Sequence, residues 1–375
     1  MHARRSIPAV ALIATASLSL AACSGGGSTA TTSPTTSPST SPSSATASPA
    51  AAPGDTTVRL LAHDSFVVSD QLVKDFEAAT GYHLEVVTGG DAGQMVAGAV
   101  LSAGAPSADV LFGVDNTLVS RAVNAGIFAP YSAPDAAALR PELQSDTAGG
   151  VVTPVDFGDV CVNVDDAYFA QAAMPAPSTL DDLIKPQYKD LLVVEDPAAS
   201  SPGLAFLLAT IARYGDGWQQ YWQALRDNGV TVAGSWTDAY EGQFTGGGKG
   251  SHPLVVSYAT SPPAEIVYAQ DPKPTEPSTS VMTDGCYRQV EYAGVLAGTA
   301  NEAGAHAVID WLLSEPVQAD VPLSMFVFPA RDKVALPDVF TKFAARVDAP
   351  LQLDPQQVAD GLAGWLEQWG TVMGR

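Results

Sequence analysis

The chain has few basic residues, few cysteines and few histidines, and each shortage removes a class of function. Eighteen Lys and Arg stand against 40 Asp and Glu in 375 residues, a formal net charge of −22. Nucleic-acid binding needs basic surface to displace counterions from phosphates, and electrostatic attachment to anionic lipid needs basic patches. Both are excluded as principal functions. Five His and three Cys leave few donors for a metal centre, and no His lies at a ligand spacing from a Cys. The sequence has no Gly-x-Ser-x-Gly elbow, no His-Glu-x-x-His and no Gly-x-Gly-x-x-Gly following a strand, so no familiar catalytic or dinucleotide motif is present. The glycine run from Gly246 to Gly250 is not a phosphate loop. Lys249 is followed by Gly250 instead of Ser or Thr, and Gln243 stands where the first Gly belongs; the run reads as a flexible turn. Beyond the N-terminal segment no stretch reaches 18 uninterrupted apolar residues, the length a membrane-spanning helix requires.

The N-terminus supplies an address. Arg4 and Arg5 precede an uncharged apolar run from Ile7 to Leu20, and Leu20-Ala21-Ala22-Cys23 ends it. This is the layout of an export signal covering residues 1–22. Leu-Ala-Ala-Cys resembles the lipobox of bacterial lipoproteins, which implies cleavage before Cys23 and lipidation of its thiol. Acyl chains would then anchor the protein to the outer face of the cell membrane. Removing residues 1–22 removes two Arg and no acid, leaving a charge of −24. Residues 24–54 are 31 consecutive Ser, Thr, Pro, Ala and Gly, with no side chains able to form a core. The stretch 23–56 is therefore expected to be a disordered tether with a reach of roughly 30 Å. About 320 residues remain, enough for two domains.

Within that body Cys161 and Cys286 are 125 residues apart. In an exported protein such a pair is expected to form a disulfide, worth roughly 4–5 kcal/mol in the chain-entropy model; two free buried thiols are the alternative. Apolar periodicity predicts strands at 58–62, 84–87 and 108–112, with helices at 69–80, 94–103 and 119–124 between and after them. The same style continues with strands at 191–194, 254–258 and 288–296 and helices at 202–214 and 302–313. Ser201 is the expected N-cap of the 202–214 helix. A C-terminal amphipathic helix places Val358, Leu362, Trp365, Leu366, Trp369 and Val372 on one face. The alternation implies an α/β fold with mainly parallel sheets flanked by helices. Ligands of such sheets bind beyond the carboxyl ends of the strands, where His63-Asp64-Ser65 and Asp115-Asn116 fall.

Several stretches carry a family resemblance: Asp64 to Phe66 (DSF), Ala108 to Asn116 (ADVLFGVDN), Asp196-Pro197, Ser201 to Leu204 (SPGL), Trp236 to Tyr240 (WTDAY), Val256 to Pro262 (VSYATSP), Gln289 to Glu291 (QVE) and Trp365 to Trp369 (WLEQW). In this order they resemble the solute-binding subunits of ABC importers with two crossovers between lobes, and within these the thiamine-binding proteins, from Val58 to Arg375. The resemblance implies a two-lobed periplasmic-binding-protein-like fold of type II with the ligand cleft between the lobes. Lobe 1 is expected over 57–155 plus about 286–340, and lobe 2 over 156–285 plus 341–375. The crossovers are expected near 151–164 and 282–296, with the two Cys stapling them.

Carried over residue by residue, the resemblance implies that Asp115 takes the carboxylate role toward the aminopyrimidine, while Trp236 and Tyr258 supply rings for the thiazolium. Asp115 could equally close a turn or cap a helix, and Trp236 could be ordinary core. Ser200 and Ser201 stand where the family offers hydroxyls and helix N-terminal amides, and His63, Asp64, Ser65, Asn116, Tyr240 and Phe326 complete the expected site. The chain departs from the family at three places: His63 and Phe326 replace a Tyr and a Trp, and Ala264 replaces a Tyr. Iron is not expected, because ferric-binding relatives use adjacent tyrosines and no Tyr-Tyr pair occurs here. The expectation is a monomeric, non-enzymatic receptor without cofactor or metal, handing thiamine, a thiamine phosphate or a close analogue to an ABC permease. A receptor for another solute, such as a polyamine or phosphonate, and a secreted enzyme on the same scaffold with Cys161 as nucleophile are the alternatives.

Overall fold

Short apolar segments and amphipathic helices alternate through the first half of the folded chain, in a computed structural model that describes residues 56–144, 146–248 and 250–375. The export signal, Cys23, residues 24–54 of the tether and Lys249 lie outside the described residues. β1 (Thr57–Ala62) lies between β2 (His83–Thr88) and β3 (Val110–Asp115), parallel to both. α1 (Asp70–Thr80) and α2 (Ala92–Leu101) make the crossovers, and α3 (Val119–Asn124) follows β3. All six residues of β3 are buried, as its uninterrupted apolar run predicts. β4 (Phe128–Ala129) pairs antiparallel with Val295 and Leu296.

The second half is built the same way. β6 (Leu192–Glu195) lies between β7 (Thr231–Ala233) and β8 (Leu254–Tyr258), parallel to both. α5 (Ser201–Tyr214) buries Leu204, Phe206, Leu207 and Leu208, each contributing about 1.5–3 kcal/mol of burial. Its N-cap is Ser200, one residue earlier than expected. α4 (Asp166–Gln171), α6 (Trp218–Asp227) and α7 (Pro262–Tyr268) complete this half.

Two long strands join the halves: β5 (Thr153–Asp165) and β9 (Thr279–Leu296). They run antiparallel to one another, β9 also pairs antiparallel with β3, and β5 with β8. The result is one mixed sheet in the order β2-β1-β3-β9-β5-β8-β6-β7. It is parallel at each end, as expected, and antiparallel in the middle, because each crossover strand returns the chain through the centre. Cys161 and Cys286 are bonded to each other. Val160 pairs with Tyr287 but Val162 pairs with Met282, so the bond closes a bulge in β9. Arg288 Nε donates to Asp159 Oδ1 at 2.6 Å beside it.

α8 (Glu302–Leu312), α9 (Glu315–Ser324), β10 (Phe328–Pro329) and α10 (Asp338–Phe343) lead to α11 (Pro355–Met373). α11 packs Trp369 edge-on against Trp222 of α6 at 5.6 Å and also reaches α3. Trp369 is buried, whereas Trp365 on the expected core face is only half-buried.

Candidate functional site

A cavity of about 920 Å³ opens between the two halves, and the loops after the strands line it. Where β1 ends, His63 turns in and rests on β3. A Cβ at Gly113 would lie 2.3 Å from the His63 ring, and Gly113 has φ +95°, so this contact requires glycine. The ring packs beside Phe112 at 5.7 Å, and Nδ1 pairs with Ser65 Oγ at 2.9 Å. Burial pulls the His63 pKa down to about 4, so the imidazole is neutral at physiological pH.

From the other half come the rings. A π-helical turn over Asp238–Gln243 brings Tyr240 against Trp236, stacked at 5.1 Å with 12° between planes. Tyr258, last in β8, stands 6.5 Å from Trp236 at 59°. Trp236 Nε1 donates to Ser257 Oγ at 2.9 Å, and Ser257 meets Ser261 Oγ at 3.0 Å. These bonds fix the indole plane. Phe326, held in the left-handed region at φ 54°, faces Tyr268 of α7 across the mouth at 5.5 Å.

Eight of the eleven expected residues line the cavity: His63, Asp64, Ser65, Ser201, Trp236, Tyr240, Tyr258 and Phe326. Asp115, Asn116 and Ser200 do not, which corrects the expectation for them. Asp115 is fully buried, and its Oδ1 accepts from Thr117 N at 3.1 Å, Thr117 Oγ1 at 2.6 Å and Leu118 N at 3.1 Å. Its Oδ2 accepts from Gln289 Nε2 at 2.5 Å. The carboxylate closes the turn into α3, and burial raises its pKa to about 6. Asn116 is spent on β9, donating to Arg288 O at 3.1 Å and accepting from Val290 N at 2.9 Å. Ser200 is buried beneath the first turn of α5, while Ser201 reaches the cavity and accepts from Gln289 Nε2 at 2.9 Å.

Two carboxylates that the sequence reading gave no role also line the cavity: Asp91 and Glu291. Asp91 caps α2, accepting from Ala92 N at 2.6 Å, and its other oxygen accepts from Trp236 N at 2.8 Å across the cleft. Desolvation raises its pKa. It follows β2 after two glycines, so the strand-end rule that selected Asp115 would have selected Asp91 too. Glu291 lies 3.6 Å from His63 Nε2. Asp64, Glu241 and Glu265 add further acids, and no Lys or Arg is among the described residues lining the cavity. Rings and carboxylates without a countercharge suit an organic cation.

Residues 105–345 match the family model of bacterial extracellular solute-binding proteins. The thiamine-binding periplasmic protein of Salmonella typhimurium is 30% identical over 303 residues, 80% of this chain and 88% of that protein. The one from Escherichia coli is 29% identical over the same extents. The solved structure of a periplasmic thiamin binding protein superimposes with a TM-score of 0.74 at 27% identity, covering 85% of this chain and 96% of that one. The chain belongs to the family of bacterial extracellular solute-binding proteins.

Proposed function

We propose that the chain is the receptor of an ABC importer for thiamine, a thiamine phosphate or a close analogue, and delivers it to the permease. The observation that carries this reading is the pairing of a ring cluster, Trp236, Tyr240 and Tyr258, with the carboxylates Asp91 and Glu291 in a cavity whose described lining lacks Lys and Arg. A thiazolium is a permanent cation, and a ring over its face contributes about 1–2 kcal/mol once water is excluded. The relatives that match most of the chain carry thiamine in their names, which supports the same ligand. Asp91 takes the role toward the aminopyrimidine that the family resemblance implied for Asp115. The N-terminus of α5, with the Ser201 hydroxyl, suits a phosphate on the hydroxyethyl arm through the positive end of the helix dipole. His63, Asp64, Ser65 and Phe326 cover the ligand from the first half.

Lobe 1 is assigned to 57–155 plus about 286–340 and lobe 2 to 156–285 plus 341–375, closing about β5 and β9. Packing of α11 on α6 supports grouping the C-terminal helices with lobe 2. Export through residues 1–22, lipidation at Cys23 and a monomeric receptor complete the reading. Titrating the protein with thiamine and its phosphates while following tryptophan fluorescence tests it. Saturable quenching at one ligand per chain is expected from stacking on Trp236. Unchanged fluorescence and no saturation with all of them would reject the ligand.

A further inference from the structure

Glu291, which lines the cavity, belongs to a row of buried acids that the fold itself does not neutralise. In the register of the sheet Glu291 on β9 stands opposite Asp115 on β3 and opposite Asp156 on β5. Like charges directly opposite on neighbouring strands are destabilising, and all three are buried. Asp115 is satisfied by four donated bonds. Asp156 has no donor on either oxygen, and the group it meets is the Glu291 carboxyl. Two carboxyl groups in contact can bond only through a proton held by one of them.

His63, from the loop after β1, aims Nε2 at Glu291 and finds no hydrogen-bond partner there, although the ring is buried. Asp91, from the cap of α2, and Tyr258, from β8, also face this group. None of these brings a positive charge. Arg288, three positions from Glu291 along β9, is already held by Asp159. A buried carboxyl pair and an unpartnered imidazole nitrogen, with Glu291 and His63 both lining the cavity, form an acidic site with no positive side chain among these groups.

We propose that the Asp156–Glu291 pair is the counter-ion site for a cationic ligand, and that the pair gives up its shared proton to solvent as the cation enters. The proposal rests on the cationic-ligand reading above. The exchange conserves charge: the protonated pair and the cation become an ionised pair bound to the cation, plus one proton in solution. Burial raises Asp156 to about 7 and Glu291 well above its ordinary range, so the free pair holds the proton near neutrality. His63, pulled down to about 4, has none to lose there. The sign follows: the ligand binds the ionised pair, so affinity rises with pH while the free pair is still protonated. The gain approaches about tenfold per pH unit and levels off above the pair's titration.

Calorimetry with thiamine at pH 6.5, in buffers of different ionisation enthalpy, reads the proton directly. The native protein should release about 0.5–1 proton per thiamine bound. In Asp156→Asn/Glu291→Gln both titrating carboxyls are gone, so release should fall near zero and affinity should become flat with pH. Asp156→Asn alone leaves one buried carboxyl, should reduce the release, and serves if the double variant does not fold. Thiamine binding without proton release by the native protein overturns the exchange. Undiminished release in the variants overturns the assignment to this pair. No heat with thiamine in any buffer overturns the cationic-ligand reading, and the role of the pair with it.

Discussion

Asp115 ends one strand of the sheet and Asp91 follows another, with the same carboxylate, yet their neighbours give them different work. Asp115 spends its lone pairs on Thr117, Leu118 and Gln289. Asp91 spends one oxygen on the start of α2 and reaches across the cleft with the other to Trp236 N. Asp115→Ala is therefore expected to cost about 1–3 kcal/mol of stability through orphaned buried donors, while the dissociation constant for thiamine stays within about threefold. Asp91→Ala is expected to weaken thiamine at least about tenfold, since the carboxylate and the anchor of the Trp236 backbone go together. Chemical unfolding and a binding titration of both variants check the pair; a reversed order would return the ligand role to Asp115. Sequence alone could not separate them. Both are acids at a strand's carboxyl end, and only the backbone path after the strand decides whether the side chain folds back into a turn or faces the cavity.

At the scale of elements, the strands and helices of each half were legible because buried strands are short apolar runs and helices repeat their apolar face. Expected and observed bounds of α3 and β8 coincide. No expectation covered β7, α4, α6, α7, α9 or α10, and β9 was anticipated only in part. Its second part from Arg288 reads as a strand, but Thr279–Asp284 mixes Thr, Ser and Asp with Val and Met, and Gly285 adopts φ 82°. Pairing with β5 makes that polar stretch a strand, and pairing is a tertiary fact that no local pattern records. The Cys161–Cys286 bond ties the two crossover strands at their bulge. Replacing both Cys by Ala is expected to cost up to about 4–5 kcal/mol, the chain-entropy value for this loop, with thiamine affinity held within about threefold. Guanidinium unfolding of the native and double-variant proteins measures the first quantity and a titration the second. Equal stability would mean that the bond does not constrain the unfolded chain as argued.

For the whole molecule, the acidity that the composition announces is divided by the fold. Most of the 40 acids are spread over the surface, where solvated charge keeps a protein soluble. A few are buried together: Asp91 and Glu291 in the cavity wall, with Asp115 and Asp156 opposite Glu291 on the neighbouring strands. The fold class and most of the lining were readable because strand ends, ring positions and a glycine-punctuated strand leave marks in sequence. The carboxyl row was not, because it depends on the register of β3, β9 and β5, whose members are far apart in the chain. Concentrating negative charge where no described Lys or Arg can answer it makes an organic cation the natural occupant. Native mass spectrometry of the purified full chain incubated with thiamine tests that account most directly. One thiamine per chain, displaced neither by salt nor by a polyamine in excess, is the predicted result. A chain that stays free of thiamine, or that retains a different molecule in its place, would contradict it.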